Sequence, residues 1–390
     1  MPWQEVSIMD QREEFIGLAL LEGANRRELC RRFGISAQTG YKWLKRWQDG
    51  ERDISDRSRC PHMSPWRSSA EMEKRVLELR DAHPAWGARK LAALLEREGI
   101  EPPAASTVHA ILMRHGRIAA QEAVNKPTQR FEKEAPNLLW QMDFKGWIRL
   151  GDETRCHPLT VIDDHSRFAL CLQACADQQN VTVKSRLEKV FHCHGLPQAL
   201  FVDNGTPWGD ASGARWTKFG VWLLKLGVGL IHSRPYHPQS RGKNERFHRT
   251  LKAELLALRC LRDLADAQRS FEHWRTLYNF ERPHEALGQD VPASRYRPSP
   301  RSMPARLPKV TYDQGEIVRR VGPTKAYVSF KGRLWKVPDA FCGETLAIRP
   351  LSTDGLYAVC FASHHIATID LTKPKTVSHV SEQVSAMSPG

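Results

Sequence analysis

Three carboxylates in this chain occupy positions from which they could do chemistry: Asp143 in LLWQMDFKGWI, Asp203 in ALFVDNG and Glu245 in GKNERFHRTLKAELLALR. Each has an ordinary explanation when taken singly. An Asp before Asn204 and Gly205 favours a tight turn without any catalysis, and a Glu in the first turn of a helix complements its positive end. Taken together they carry more. Three carboxylates brought into one pocket repel one another, so unless protonated they need a cation to hold them there. Oxygen-only ligands suit Mg2+ (or Mn2+), which prefers octahedral coordination and keeps waters for substrate. Two such ions about 3.5 to 4 Å apart serve both the attacking and the leaving oxygen of a phosphodiester.

The elements that must position these groups read as an α/β domain. Leu138, Trp140, Met142 and Phe144 form one face of a strand, so Asp143 points with Gln141 and Lys145 to the other. HPLTVIDDHSRFALCLQA reads as a hairpin around Asp164, His165 and Ser166, and VTVKSRLEKVFHCHG as a helix. ALFVDNG is a short, continuously apolar strand, the kind buried on both faces. Asp203 therefore emerges at the carboxyl end of a central strand, where open α/β sheets place their ligands. Phe247, Leu251, Leu255 and Leu258 form the buried stripe of a helix, with Glu245 about 200° away from Phe247. Lys243, Arg246 and Arg249 surround Glu245 and are candidates for the phosphate backbone, against the plain reading of a solvated basic surface. His237 reads as a structural loop residue. His192, Cys193 and His194 have no second ligand cluster, so no zinc site is expected.

The flanks read differently. Asp10 and Glu13 in capping-box spacing, followed by Ile16, Leu20 and Leu21, predict a helix over 10–23. RRELCRRF ends at Gly34, and Ser36 can cap AQTGYKWLKRWQ, whose Leu44 and Trp47 suit packing against Leu29 and Phe33. This is a helix-turn-helix pattern over 1–50. Gln38, Thr39, Lys42 and Arg46 then lie on the exposed side of the recognition helix, where amides read base edges and cations meet phosphates. An ordinary three-helix bundle with a basic face is the alternative, and Gly40 is a weak point in the helix. A basic linker over 51–70 leads to helices at 71–117, a second helix-turn-helix or winged-helix domain, for which a dimerisation bundle is the competing reading. A linker over 118–135 precedes the α/β region, and another over 298–309 follows it. The alternating segments of 310–371 predict a small β-barrel, with Arg319, Arg320, Lys325, Lys331 and Arg333 available to a DNA backbone or a protein. Residues 372–390 read as a flexible tail.

Composition fits a nucleic-acid partner without proving one. The 390 residues carry a net charge of +14 with a pI near 9.5, and phosphate attraction of this kind contains no sequence information. Nine cysteines without a C-x-x-C pair indicate neither a disulfide framework nor a zinc ribbon. The first residues gain charge before an apolar stretch can form, and no run of 18 apolar residues follows. The expectation is a cytoplasmic protein, neither secreted nor membrane-spanning.

The motifs WQMD (140–143), VIDDHSR (161–167), FVDNG (201–205) and RPYHPQSRGKNERFHRTLK (234–252), in this order, resemble the integrase catalytic core of bacterial insertion-sequence transposases, relatives of retroviral integrases. The resemblance covers about 136–297 and continues into YNFERPH at 278–284. It implies a ribonuclease-H-like fold and places Asp143, Asp203 and Glu245 as the catalytic, metal-binding DDE triad, with two Mg2+ or Mn2+ ions per site. The activity it implies is DNA transposition by 3′-end cleavage and strand transfer. The partners it implies are double-stranded DNA, both terminal inverted repeats and target, and further copies of the chain in a synaptic oligomer. One departure is the 41 residues between Asp203 and Glu245, longer than is usual in that family. Asp210 lies too near Asp203, and Glu254 lies outside the matched motif, so Glu245 keeps the assignment. A nuclease that only hydrolyses and a non-catalytic DNA-binding regulator are the competing functions.

Overall fold

The computed structural model describes residues 7–57, 67–118, 132–205, 208, 216–232 and 242–373. Asp210, His237, most of the 118–135 linker, part of the 51–70 linker and nearly all of the 372–390 tail lie outside them. The chain forms two compact units, one up to Ser68 and one from Ser69 onward.

In the first unit, α1 (Ile8–Ala19) starts earlier than its pattern predicts. Ser7 is the cap: its hydroxyl accepts the Asp10 N–H, and the Asp10 carboxylate accepts the Ser7 N–H. The box therefore closes on Asp10 as its third residue, not its first. Helices α2 (Arg26–Arg32) and α3 (Ala37–Gln48) follow, with Ser36 accepting the Thr39 N–H at 3.1 Å. Phe15, Ile16, Cys30, Trp43, Leu44 and Ile54 fill the core, with Leu29, Phe33 and Trp47 packed against it. Gly40 is required here, because a Cβ at that position would meet Cys30 Sγ at 2.5 Å.

The second unit opens with α4 (Ala70–Ala82), α5 (Ala88–Arg97) and α6 (Ala105–Arg114), closed over Val76, Leu91, Leu95, Val108, Ile111 and Leu112. An α/β region follows: β1 (Leu139–Phe144), β2 (Ile148–Arg149), β3 (Arg155–Asp163), β4 (Ala169–Cys175), α7 (Asn180–His194), β5 (Ala199–Val202), α8 (Lys218–Lys225), β6 (Gly229–His232), α9 (Gly242–Leu251), α10 (Leu264–Phe280) and α11 (Pro292–Arg295). The strands run β4-β3-β1-β5-β6, with β2 beside the start of β3. The first three pair antiparallel and the last three parallel. That is the ribonuclease-H-like arrangement. Trp140 and Met142 point into a core shared with α7 and α8, whereas Ile162 and Leu172 face one shared with Phe247 and Leu251 of α9 and Phe271 and Trp274 of α10. The sheet is thus covered on both faces.

Two further features differ from the sequence reading. The helix carrying Glu245 passes into a π turn at Lys252–Leu256, where the Ala257 N–H reaches the Lys252 carbonyl at 2.8 Å. Widening the turn by a residue breaks the 3.6-residue phase, so Leu258 leaves the buried stripe and is exposed. The C-terminal strands β7 (Ile317–Arg320), β8 (Tyr327–Phe330), β9 (Arg333–Lys336), β10 (Thr345–Pro350), β11 (Leu356–Phe361) and β12 (His364–Asp370) do not close into a barrel. They form an open antiparallel sheet, β12-β11-β10-β7, and a separate β8-β9 hairpin. Strand β7 has only four residues, and among the described residues no ladder joins the hairpin to either sheet edge. What the two sheets share is a core: Val328, Phe330 and Trp335 of the hairpin pack with Leu346, Ile348, Val359 and Ile369 of the sheet, and with Val221 and Leu224 from α8. No described helix is long and apolar enough to cross a membrane.

Helix α5 is docked on the α10 end of the α/β region. Arg97 donates to the carbonyls of Glu281 at 2.8 Å and Gln289 at 2.6 Å, Arg89 pairs with Glu285, and Leu277 of α10 packs against the α4–α6 core.

Candidate active site

The parallel register pairs Leu139 with Ala199, Trp140 with Leu200 and Gln141 with Phe201. Continued two residues beyond the last pair, the same offset would match Asp143 of β1 with Asp203, just past the end of β5. Both are half-buried. Asp203 Oδ1 accepts the Gly205 N–H at 3.0 Å and the indole N–H of Trp208, and its carbonyl meets His232 Nδ1 at 2.9 Å. The buried Trp208 ring stacks on Phe144, centroids 5.6 Å apart, so one aromatic pair backs both strand ends.

Glu245 stands in the first turn of α9, which packs against β1. Its side chain is 67% exposed and pairs with Arg249 at 3.0 Å. Among the described residues, no group of three or more His, Cys, Asp and Glu is gathered closely enough to hold a metal. The continued register would set Asp143 and Asp203 on neighbouring strand ends, while Glu245 stands on the adjoining helix, paired with an arginine. The oxygen-only chemistry of the Asp143 and Asp203 pair fits a hard divalent cation. Glu254 has another role: its buried carboxylate takes Arg282 Nε at 2.8 Å and the Trp274 indole N–H at 3.2 Å.

Around the carboxylates lie polar residues whose roles the alternation pattern missed. Gln141 does share the Asp143 side of β1, but that side is covered, and Gln141 is only 2% exposed. Its amide donates to Asp164 Oδ1 at 2.7 Å. Asp164, with no exposed surface, also takes Lys243 Nζ at 2.6 Å and the Lys133 N–H at 2.8 Å. Burial pulls the Lys243 ammonium down to about 8, with Asp164 opposing the shift. Asp163 accepts from the Ser166 N–H, the Ser166 hydroxyl and the Asn137 N–H, while burial pushes its carboxyl up. On the other side of Glu245, His248 Nε2 meets Thr160 Oγ1 at 2.9 Å, and that hydroxyl donates to the Asp143 carbonyl at 2.9 Å. Burial, reinforced by Lys145, brings His248 down to about 4.

The candidate DNA contacts divide. Gln38 and Lys42 are exposed, and Thr39 is half-buried with its hydroxyl 2.8 Å from that of Ser36. Arg46 is not on the open face. It is buried over the Trp43 ring and bonds Glu51 at 2.7 Å and the carbonyls of Asp53 at 2.8 Å and Ser55 at 3.1 Å. The helical wheel missed this because the chain after α3 folds back over that flank. Lys243 is likewise turned inward to Asp164, whereas Arg246 and Arg249 are exposed. In the C-terminal region Arg319, Arg320, Lys325 and Lys331 are exposed and Arg333 half-buried.

Family models agree with this layout. Two integrase core domain models match residues 133–238 and 226–292. A helix-turn-helix domain matches 11–62, a homeodomain-like domain 39–112, and the C-terminal domain of IS481 family transposases 316–377. In these matches the chain is similar to the bacterial insertion-sequence transposases that carry an integrase core. Among curated relatives, the insertion element IS476 uncharacterized 39.2 kDa protein of Xanthomonas euvesicatoria is 26% identical over 59% of this chain and 65% of its own length. The insertion element IS407 uncharacterized 31.7 kDa protein of Burkholderia multivorans is 26% identical over 56% of this chain and 78% of its own length. A solved structure, the HTLV-2 integrase catalytic core domain in complex with magnesium, aligns with 42% of this chain and 99% of its own at 15% identity and a TM-score of 0.32.

Proposed function

We propose that this transposase cuts the 3′ ends of a mobile element and joins them to target DNA, with Asp143, Asp203 and Glu245 as the carboxylates of the reaction centre. The observation that supports this is the β1 and β5 register, whose continuation would match Asp143 with Asp203 at the carboxyl ends of central strands, with the Glu245 helix packed on β1. Asp143 and Asp203 would hold a divalent cation, Mg2+ or Mn2+, with Glu245 released from Arg249 to complete the set; a bound pair of such ions supplies activation of the attacking oxygen and charge neutralisation at the leaving one. The residues of the chain bind and orient. The exposed faces of α3 and α6 are available for end recognition, and Arg246 and Arg249 flank the centre as cations for the scissile backbone. No covalent enzyme intermediate is needed, since water and then a DNA 3′-hydroxyl are the nucleophiles. Synapsis of two ends calls for more than one copy of the chain.

The test is a cleavage and strand-transfer assay on DNA carrying the element's terminal inverted repeats with Mg2+. Asp143→Asn, Asp203→Asn and Glu245→Gln should each lose at least about 10³-fold in rate while still binding the repeats. If Asp203→Asn joined ends as well as the parent protein, the mechanism would be wrong. Binding of the repeats with no nicking by the parent protein would favour a regulator, and nicking without joining a nuclease.

A further inference from the structure

Among the described residues, Glu245 makes no buried contact that fixes its position; what places it is α9. The helix is held to the sheet by apolar contacts through Phe247 and Leu251, in a core with Trp274 and Tyr278, and, among the described residues, by a polar contact on each side of Glu245. Before it, Lys243 reaches Asp164, which also holds Gln141 of β1. After it, His248 reaches Thr160 of β3, the cross-strand partner of Asp143, whose hydroxyl continues to the Asp143 carbonyl. Both routes end on β1, at residues 141 and 143.

We propose that these two polar clamps, Lys243–Asp164–Gln141 and His248–Thr160–Asp143, are positioning devices that set the separation of Glu245 from Asp143 and so tune the affinity of the centre for divalent cation. The inference rests on the assignment of these carboxylates to the reaction centre. Thr160 has a single hydroxyl proton, and it goes to the Asp143 carbonyl, so His248 must donate through Nε2–H. That fixes the imidazole tautomer and makes the chain directional from helix to strand. Apolar packing alone tolerates small slides of a helix, because it has no preferred direction. Hydrogen bonds of 2.9 Å at one end and an ion pair of 2.6 Å at the other do not. The clamps also lie on the sheet side of α9, away from its solvent-facing Arg246 and Arg249, so they are placed to act on the carboxylates and not on DNA.

Thr160→Val keeps the shape and β-propensity of the residue while removing the hydroxyl; Thr160→Ser keeps the hydroxyl. Mn2+ binding to the full-length protein, followed by electron paramagnetic resonance, is measured beside Mg2+-supported cleavage, binding of the terminal repeats and the thermal midpoint. Thr160→Val should weaken Mn2+ by about tenfold or more and raise the Mg2+ needed for cleavage in step, with repeat binding unchanged, and Thr160→Ser should restore both. Lys243→Met carries the same expectation at the other clamp, and serves if Thr160→Val does not fold. Mn2+ affinity within twofold of the parent in the folded variants overturns the proposal. An Asp203→Asn control separates the two readings: if it too leaves Mn2+ binding and cleavage intact, the reaction centre has been misassigned and not merely its clamps.

Discussion

A methyl group at Gly40 would come within 2.5 Å of Cys30 Sγ and 2.8 Å of Phe15 Cζ, in the crossing of α3 with its two neighbours. Overpacking of this kind costs about 1–3 kcal/mol, against at most about 1 kcal/mol gained in helix propensity. Gly40→Ala should therefore lower the thermal midpoint, and adding Cys30→Ala should recover part of the loss; additive losses would place the strain elsewhere. Lys90 on α5 is the second residue with a measurable consequence. Burial first, then Arg282, pull it from 10.5 to about 8, with Arg246 adding to that and Glu254 and Glu285 opposing it. Between about pH 8 and 10.5 the folded state then binds fewer protons than the unfolded one, so this group's contribution rises with pH there, and its penalty is complete below pH 8. The shift corresponds to an upper bound of ~3 kcal/mol. Lys90→Met should be more stable than the parent at pH 7, and the difference should shrink towards pH 10 in denaturant titrations. At this scale the sequence was informative about Asp143 and Asp203, because strand alternation and an apolar run ending in Asp-Asn-Gly locate a residue along a strand. It put Gln141 on the Asp143 side but took Lys243 and Arg46 for DNA contacts, because periodicity says which side a residue faces and not what lies across from it.

The turn between α9 and α10 is where local pattern and tertiary structure part company. A regular helix would carry Leu258 into the core; the π turn instead aims Glu254 inward, where it meets Arg282 beyond the end of α10. Both side chains are nearly inaccessible, and removing one partner from such a pair leaves an uncompensated buried charge, at a cost of about 3–5 kcal/mol. Arg282→Met should destabilise by that order, while Arg282→Met with Glu254→Leu should lose markedly less; equal losses would show that the pair is not coupled. The sequence predicted these elements because their hydrophobic spacing is strong. It did not predict how the C-terminal strands associate, since alternation specifies inward faces and leaves partners open. Val328, Phe330 and Trp335 point inward as a barrel strand would, yet they belong to a hairpin laid over an open sheet.

For the molecule as a whole, the +14 charge makes an ionic-strength prediction. If the terminal repeats are gripped through some six or more phosphates, affinity should fall by about 10³ or more between 50 and 200 mM salt; a drop of less than tenfold, measured by fluorescence anisotropy, would mean that most of this charge serves the fold. Some of it does, as Arg46, Arg97 and Lys243 are all spent on intramolecular bonds. Helix α8 has a further consequence. Its Phe219, Trp222 and Leu223 belong to the α/β core, its Val221 and Leu224 to the C-terminal core, and Lys225 next to them pairs with Glu344. One short rod is thus a party wall between two rooms. A chain ended near residue 310 would leave that wall with bare, greasy plaster on its outer side, and such a truncated product should clump in solution even though all three carboxylates proposed for the reaction centre are still present.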